Sequence, residues 1–333
     1  MNNSDIAIQV NPHLTISNYL STENESDVLH EILDGLKAEQ KYISSRFFYD
    51  EKGSALFEEI TSLPEYYPTK TETAILKANA TNIPGHYTNI DIIELGSGDC
   101  TKISVLLDAV QKNRMKHINY IPVDVSEAAV LKSADILSLK YPGLTIHGLL
   151  ADFLKHLDQL PGEQKRLICF FGSTLGNLDR KQATNFLMNL KRIMNPGDQL
   201  ILGLDMVKDS SILHKAYNDS QEITARFNKN ILNVINEIIQ TDFDTHNFEH
   251  YAFYNEQEAR IEMHLKAAKD MRISSPLFVE KIDIKAGETI HTENSHKFTL
   301  ADIRKFETLT GLKIQNIYTD KEQWFSLVSF INI

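Results

Sequence analysis

The stretch DIIELGSGDCTKISVLLDAV, residues 91–110, narrows the possible folds more than any other part of the chain. Ile92-Ile93-Glu94-Leu95 forms a short apolar run around one acid, and Gly96-Ser97-Gly98 is a turn. Ile103, Leu106, Leu107 and Val110 then recur at helical spacing. A strand that turns on glycines into a helix delivers backbone N–H groups to the end of a sheet, where nucleotide-like cofactors are held. Apolar runs at 118–124, 143–150, 166–171 and 199–205 follow, separated by helical patterns such as SEAAVLKSADILSLKY and RKQATNFLMNLKRIM. Strands alternating with helices require right-handed crossovers, so the fold class is α/β with a parallel sheet.

The rhythm changes after residue 207. SSILHKAYNDSQEITARFNKNILNVINEIIQTDF is helical, and RIEMHLKAAKDM and KIDIKAGETIHTENSHKF alternate like antiparallel strands, with Gly287 as their turn. From residue 299 a helix, strand, turn and strand complete the sheet. The pattern predicts a sheet domain over 71–207 and 298–333, and a discontinuous α+β domain over 1–70 and 208–297. Residues 1–24 are polar and aperiodic and read as an arm. SDVLHEILDGLKAEQ reads as a helix capped by Ser26 or Asp27.

A net charge of −11 argues against a nucleic-acid partner, whose phosphates an acidic surface repels. Cys100 and Cys169 are too few for a disulfide framework or a cysteine zinc site, and suit a reducing compartment. The first Lys or Arg is Lys37, and no apolar run approaches the roughly 20 residues of a membrane span. The expectation is a cytoplasmic, monomeric protein with a small-molecule partner and no membrane contact. His246 and His250 are four apart but have no third ligand, so no metal is expected; His264, on the strand face opposite Met263, reads as solvent-side.

The glycine turn departs from Gly-x-Gly-x-x-Gly, because Thr101 stands where the third glycine would allow close helix packing. That favours S-adenosylmethionine over a nicotinamide dinucleotide. Asp124 ends the second strand, where an acid can bond ribose hydroxyls. Asp152-Phe153 ends the third, where a carboxylate and a ring suit adenine.

Three segments carry a more specific pattern: FFYDEKGSALFEEITSLPEYYPTKTETAIL (47–76), FGSTLGNL (171–178) and TENSHKF (292–298). They resemble the histidine-specific Nα-methyltransferases of ergothioneine biosynthesis, and the similarity continues through DMVKD, AYNDSQEITARFNKNIL and RIEMHL. The resemblance implies a seven-stranded, Rossmann-like class I methyltransferase sheet with a second, substrate-binding domain. It implies three methyl transfers from S-adenosylmethionine, released as S-adenosylhomocysteine, to the α-nitrogen of L-histidine, giving hercynine. Carried over by position, Gly96, Lys102, Asp124, Asp152 and Phe153 fall at the cofactor, with Ser97, Gly98 and Gly172 of the two glycine turns. Tyr49, Tyr66 and Asn177 fall at the reacting end of the substrate. Tyr66, Asn177 and Tyr217 surround its amino-acid group, and Met263, Glu293 and Ser295 its imidazole. The chain departs from the family pattern at Asn294 and His296, and at Asp99-Cys100 after the glycine turn.

Glu293 and Ser295 are two apart and share a strand face, where a carboxylate and a hydroxyl can hold both nitrogens of an imidazole. Without the resemblance they would read as an exposed polar pair on an edge strand. The alternatives are the same chemistry on another amino acid or amine, or a SAM-binding module without catalysis.

Overall fold

The computed structural model describes residues 7–11, 14–20, 24–83 and 89–333. The described residues divide into two compact units, the first drawn from Met1–Thr22, Pro68–Val207 and Lys297–Ile333, the second from Glu23–Tyr67 and Lys208–His296. Elements are numbered along the chain.

The first unit is built on five parallel strands, β3 (Ile90–Leu95), β4 (Ile118–Asp124), β5 (Thr145–Leu150), β6 (Lys165–Phe170) and β7 (Gln199–Asp205). β14 (Phe325–Ile331) runs antiparallel to β7, and β13 (Lys313–Thr319) pairs with β14 at the edge. At the other side, β2 (Leu14–Asn18) joins β5 in parallel and β1 (Ala7–Asn11) pairs with β2. Among the described residues the sheet has nine strands in the order β1-β2-β5-β4-β3-β6-β7-β14-β13. The seven expected strands are present, and the two at the N-terminal side are additional.

Both faces of this sheet are covered, which is why β3 is buried along its whole length. Ile92 and Ile93 point to opposite faces and fall in separate apolar clusters. The Ile92 side is packed by α3 (Tyr67–Asn79), α4 (Thr101–Asp108) and α5 (Glu127–Lys140). The Ile93 side is packed by α6 (Arg180–Ile193) and α9 (Leu300–Thr310). In its described part, the arm expected over 1–24 gives way to β1 and β2, which belong to the first unit. Leu14 and Ile16 alternate into the core, a signal only one short strand long.

The second unit contains α1 (Glu25–Lys37), α2 (Glu51–Ser62), α7 (Ser210–Tyr217), α8 (Ile223–Ile239) and two small sheets. Asn24, two residues before the expected Ser26 and three before Asp27, caps α1 by accepting from the Ser26 N–H at 3.0 Å. The strands β8 (Phe248–Asn255), β9 (Arg260–Ala267) and β12 (Thr289–His296) form one sheet in the order β12-β9-β8. β10 (Met271–Ser275) and β11 (Phe278–Ile284) form a separate hairpin, which displaces the direct turn expected at Gly287.

The FFYDEKG motif has a packing reason. Asp50 Oδ1 accepts from the Gly53 N–H at 2.7 Å, capping α2, and from Asn230 Nδ2 at 2.8 Å, tying α2 to α8. A Cβ at Gly53 would collide with the Phe48 carbonyl, so the chain requires glycine there. Phe48 then stacks on Phe227 of α8 with ring centroids 4.5 Å apart.

One irregularity matters for the site. His291 pairs with His264 and Glu293 with Met263, so two steps on β12 oppose one step on β9 and Thr292 is bulged. Directly paired residues share a face. Glu293 and Ser295 therefore lie on the face of Met263 and Ile261, whereas His291 and Asn294 lie on that of His264 and Glu262. The His291–Asn294 hydrogen bond of 3.0 Å agrees with this parity.

In the first unit Arg166 pairs with Asp198 at 2.7 Å, buried on both sides. Asp198 also accepts from the Arg166 and Asn195 backbone N–H groups, at 3.0 and 2.7 Å. Removing one partner leaves the other charge buried and unpaired. Asp198→Ala is expected to lower stability by about 3–5 kcal/mol, read as a drop in the urea midpoint at unchanged slope.

Candidate functional site

The first unit gathers its polar groups at the carboxyl ends of β3, β4, β5 and β6. Gly96, Gly98 and Cys100 all have positive φ, at 70°, 51° and 57°, so the chain after β3 winds through three left-handed positions before α4 begins. Asp124 braces that turn. Its carboxylate accepts from the Gly98 N–H at 3.1 Å and the Ser126 N–H at 3.0 Å, and burial pushes its pKa up. Ser97 Oγ is buried without a hydrogen-bond partner among the described residues. Phe153 packs edge-on against Phe170 and lies beside Gly96, and the Asp152 carboxylate accepts from the Leu154 N–H at 2.9 Å. A glycine-lined cradle with an orphaned hydroxyl, two acids and a ring fits an adenosyl group carrying an amino-acid tail.

Lys102 is held by a residue the motif reading did not single out. Its Nζ lies 2.8 Å from Oε2 of Glu72, which is fully buried in α3. The same carboxylate accepts from the Gly172 N–H at 2.9 and 3.0 Å, where φ is 74°. A Cβ at Gly203 would run into Glu72, so the glycine of β7 makes room for it. A signal was present: Glu72, Ile75 and Leu76 fall on one helical stripe, an acid in a core-facing position. Beneath the turn, Glu94 accepts from Tyr120 Oη at 2.5 Å, and burial raises the Glu94 pKa to about 8. Asn177 ends the 3-10 turn Thr174–Asn177 that follows β6, half-buried.

The second unit brings together Tyr49, Tyr66, Tyr217, Met263, Glu293 and Ser295. Tyr49 packs on Phe57 at 5.9 Å and Phe227 at 6.1 Å, Phe57 on Tyr66 at 6.4 Å, and Tyr66 on Tyr217 at 6.3 Å. Tyr217 Oη donates to Ser295 Oγ at 2.7 Å. Through the β12 register, Glu293 and Met263 continue the same face, and all of this set except the half-buried Tyr49 is buried. Tyr67, the neighbour of Tyr66, instead accepts from Lys208 Nζ at 2.8 Å. An aromatic chain ending in two hydroxyls and a carboxylate suits a ligand that is cationic at one end and hydrogen-bonding at the other.

The opposite sheet face is not the solvent side expected for His264. His264 is buried against Phe253, with centroids 5.6 Å apart, and His291, at 5.0 Å, and lies 3.2 Å from Glu262. Burial alone would raise the pKa of Glu262, yet hydrogen bonds from Asn255, Arg260 and His264 carry it down to about 2. Asn294 and His296 register with Glu262 and Arg260 on this face, away from Glu293. The pair His246 and His250 is also divided. His246 sits exposed in a turn with Asp244, whereas His250 is in β8 and bonds Asn228 and the Tyr217 carbonyl. No cluster of three or more metal-ligating side chains occurs among the described residues, and no helix there is long and apolar enough to cross a membrane.

The sequence was compared with known proteins. A family model described as "Histidine-specific methyltransferase, SAM-dependent" matches residues 28–331. A Histidine N-alpha-methyltransferase of Mycolicibacterium smegmatis is 39% identical over 94% of this chain and 98% of its own length. One from Mycobacterium tuberculosis is 36% identical, with the same coverage. Ergothioneine biosynthesis protein 1 of Schizosaccharomyces pombe is 30% identical over 83% of this chain and 37% of that longer protein.

Two outcomes follow for the first unit. Glu72→Gln turns an amide N–H₂ toward the Lys102 ammonium and removes its counter-charge; S-adenosylmethionine affinity by calorimetry is expected to fall about tenfold, or 1.4 kcal/mol, with an unchanged circular dichroism spectrum. Glu94, with a folded pKa near 8 against an ordinary 4.5, stays protonated in the folded chain when the unfolded chain has lost that proton. Its contribution is complete below about pH 4.5 and is lost as pH rises through 8, by up to about 1.4 kcal/mol per unit. Glu94→Gln is expected to flatten the fall of thermal midpoint across that window.

Proposed function

The chain belongs to the SAM-dependent, histidine-specific methyltransferase family, and on that premise we propose that it transfers three methyl groups from S-adenosylmethionine to the α-nitrogen of L-histidine, giving the trimethylated betaine hercynine. The observation that carries the acceptor assignment is the Tyr217–Ser295 hydroxyl pair at 2.7 Å, on the face that also bears Glu293 and Met263. Glu293 and Ser295 bond the imidazole nitrogens, and Met263 lies against the ring. A side chain without those nitrogens displaces water from the buried carboxylate and hydroxyl and gives them no hydrogen bond in return, which is how such sites reject near neighbours by large factors. Asn294 and His296, the departures from the family pattern, register with the other sheet face and leave that chemistry in place.

In this reading Gly96, Ser97, Gly98, Asp124, Asp152, Phe153, Lys102 and Gly172 hold the cofactor. When bound, S-adenosylmethionine supplies an electrophilic methyl on a sulfonium sulfur. The chain's own task is then to bind and orient the acceptor amine and to exclude water, and alignment of this kind accounts for a large share of the acceleration in bimolecular steps. Tyr49 and Tyr66 line the reacting end. Their rings attract a methylated ammonium that can no longer donate hydrogen bonds, at about 0.5–2 kcal/mol per ring. Asn177 accepts from the amine and donates to the carboxylate, holding the lone pair in line. The amine arrives mainly as its ammonium form at neutral pH and sheds a proton before each transfer. We assign no dedicated strong base, so loss of Tyr66 or Asn177 acts through positioning. Release of the product is followed by its use outside this chain, as the relative named for ergothioneine biosynthesis suggests.

Mass spectrometry of histidine incubated with S-adenosylmethionine is expected to find mono-, di- and trimethylated histidine, converging on the last. Methylation of a competing amino acid in preference to histidine would overturn the acceptor. Tyr217→Phe is expected to raise KM for histidine about tenfold, the value of one buried hydrogen bond, while KM for the cofactor stays within about twofold.

A further inference from the structure

We propose that Asn228 and Thr292 are positioning residues for acceptor specificity, holding the bulge of β12 so that Glu293 and Ser295 face the imidazole. The proposal rests on the acceptor reading given above and adds the device that sets it. Asn228 is fully buried in α8 and uses its whole amide. Its Oδ1 accepts from Thr292 Oγ1 at 2.6 Å. Its Nδ2 donates to the His264 carbonyl at 3.0 Å and to His250 Nδ1 at 2.9 Å. Thr292 Oγ1 also lies 3.0 Å from the Met263 carbonyl, so its one hydroxyl proton is shared between the helix, at the shorter distance, and the neighbouring strand.

The chain of bonds closes on the site. His250 Nε2 is 2.9 Å from the Tyr217 carbonyl, which can only accept, so the proton is on Nε2 and Nδ1 is the acceptor for Asn228. Tyr217 in turn donates its hydroxyl to Ser295. One amide therefore joins the bulge in β12, the backbone of β9, β8 through His250, and the end of α7 that carries Tyr217. The bulge sets the parity of everything after it. Were Thr292 taken into a regular ladder, the part of β12 after it would turn over, because a one-residue slip exchanges the faces of a strand. Thr292 and Asn294 would then stand opposite Met263 and Ile261, where Glu293 and Ser295 stand now, and the carboxylate would join the face of His264. The bulge earns its position by function, since a regular strand would satisfy its ladder bonds equally well.

The test uses the full chain and three substitutions. Thr292→Val keeps the shape and removes the hydroxyl, Thr292→Ser keeps the hydroxyl, and Asn228→Asp removes both amide donors. Kinetics are measured with histidine and with phenylalanine, an amino acid of similar size whose ring has no nitrogen. Thr292→Val is expected to raise KM for histidine at least about tenfold and to lower the preference for histidine over phenylalanine by the same order. KM for S-adenosylmethionine should stay within about twofold, and Thr292→Ser should restore wild-type values. Asn228→Asp should reproduce the valine variant where it folds. Thr292→Val with unchanged histidine KM and preference would overturn the proposal, as would equal losses toward both substrates that serine does not rescue. Nitrogen-15 spectra of His250 keep the brace testable apart from the activity. Wild-type chain is expected to carry an unprotonated Nδ1 whose shift moves in Asn228→Asp. If wild-type chain leaves histidine unmethylated, the acceptor reading falls while that spectrum still decides the brace, and a His250 spectrum identical in both chains would overturn it.

Discussion

The buried carboxylate of Glu72 is the constraint on which the loops at the strand ends of the first unit depend. Removing a charge from water costs several kcal/mol, and the cost is met only when charge and hydrogen bonds are both returned. Here Lys102 returns the charge and the Gly172 N–H the hydrogen bonds, while Gly203 gives up a side chain to make room. Four elements share this point: α3, the start of α4, the loop after β6 and the middle of β7. The glycine turn after β3 is braced separately by Asp124, so the two loops that would meet a ligand are each tied to an acid. Rigid loops lower the ordering cost of binding.

The second unit solves a different problem. On the proposed reading, it must present polar atoms to a small ligand from within an apolar interior. Ser295 and Glu293 share a strand face beside a run of aromatic contacts from Tyr49 to Tyr217, and the Tyr217 hydroxyl donates to Ser295. The other sheet face spends its polarity on itself, in the group formed by Arg260, Glu262, His264, His291 and Asn294. Two chemically similar faces are thus kept apart by one strand's thickness and one extra residue.

Much of this could be read in the chain. The βαβ rhythm announced the parallel sheet because each strand is a mainly apolar run with no strict polar alternation, the mark of burial on both sides. The reversed last strands were legible because a helix, strand, turn and strand followed a long break in that rhythm. Leu14 and Ile16 were missed because a five-residue strand leaves only two core contacts to notice. Glu72 was passed over because a helix position three and four residues before Ile75 and Leu76 was read for polarity instead of burial. Parity near Glu293 came out right, yet the surroundings of His264 did not, since which face of a small sheet is covered depends on distant rings such as Phe253. His246 and His250, four apart in sequence, part company because the strand that carries His250 begins between them, at Phe248.

The order of the strands along the chain has a consequence for biosynthesis. β7 ends at Asp205, but its neighbour β14 begins at Phe325, after the whole intervening segment and α9. On a ribosome, which releases the chain from the N-terminus, β7 is an apolar edge with open N–H and C=O groups for the time needed to make everything between them. A chain stalled in that interval carries an unpaired border, so its exposure to edge-to-edge association lasts from the completion of β7 to the emergence of β14.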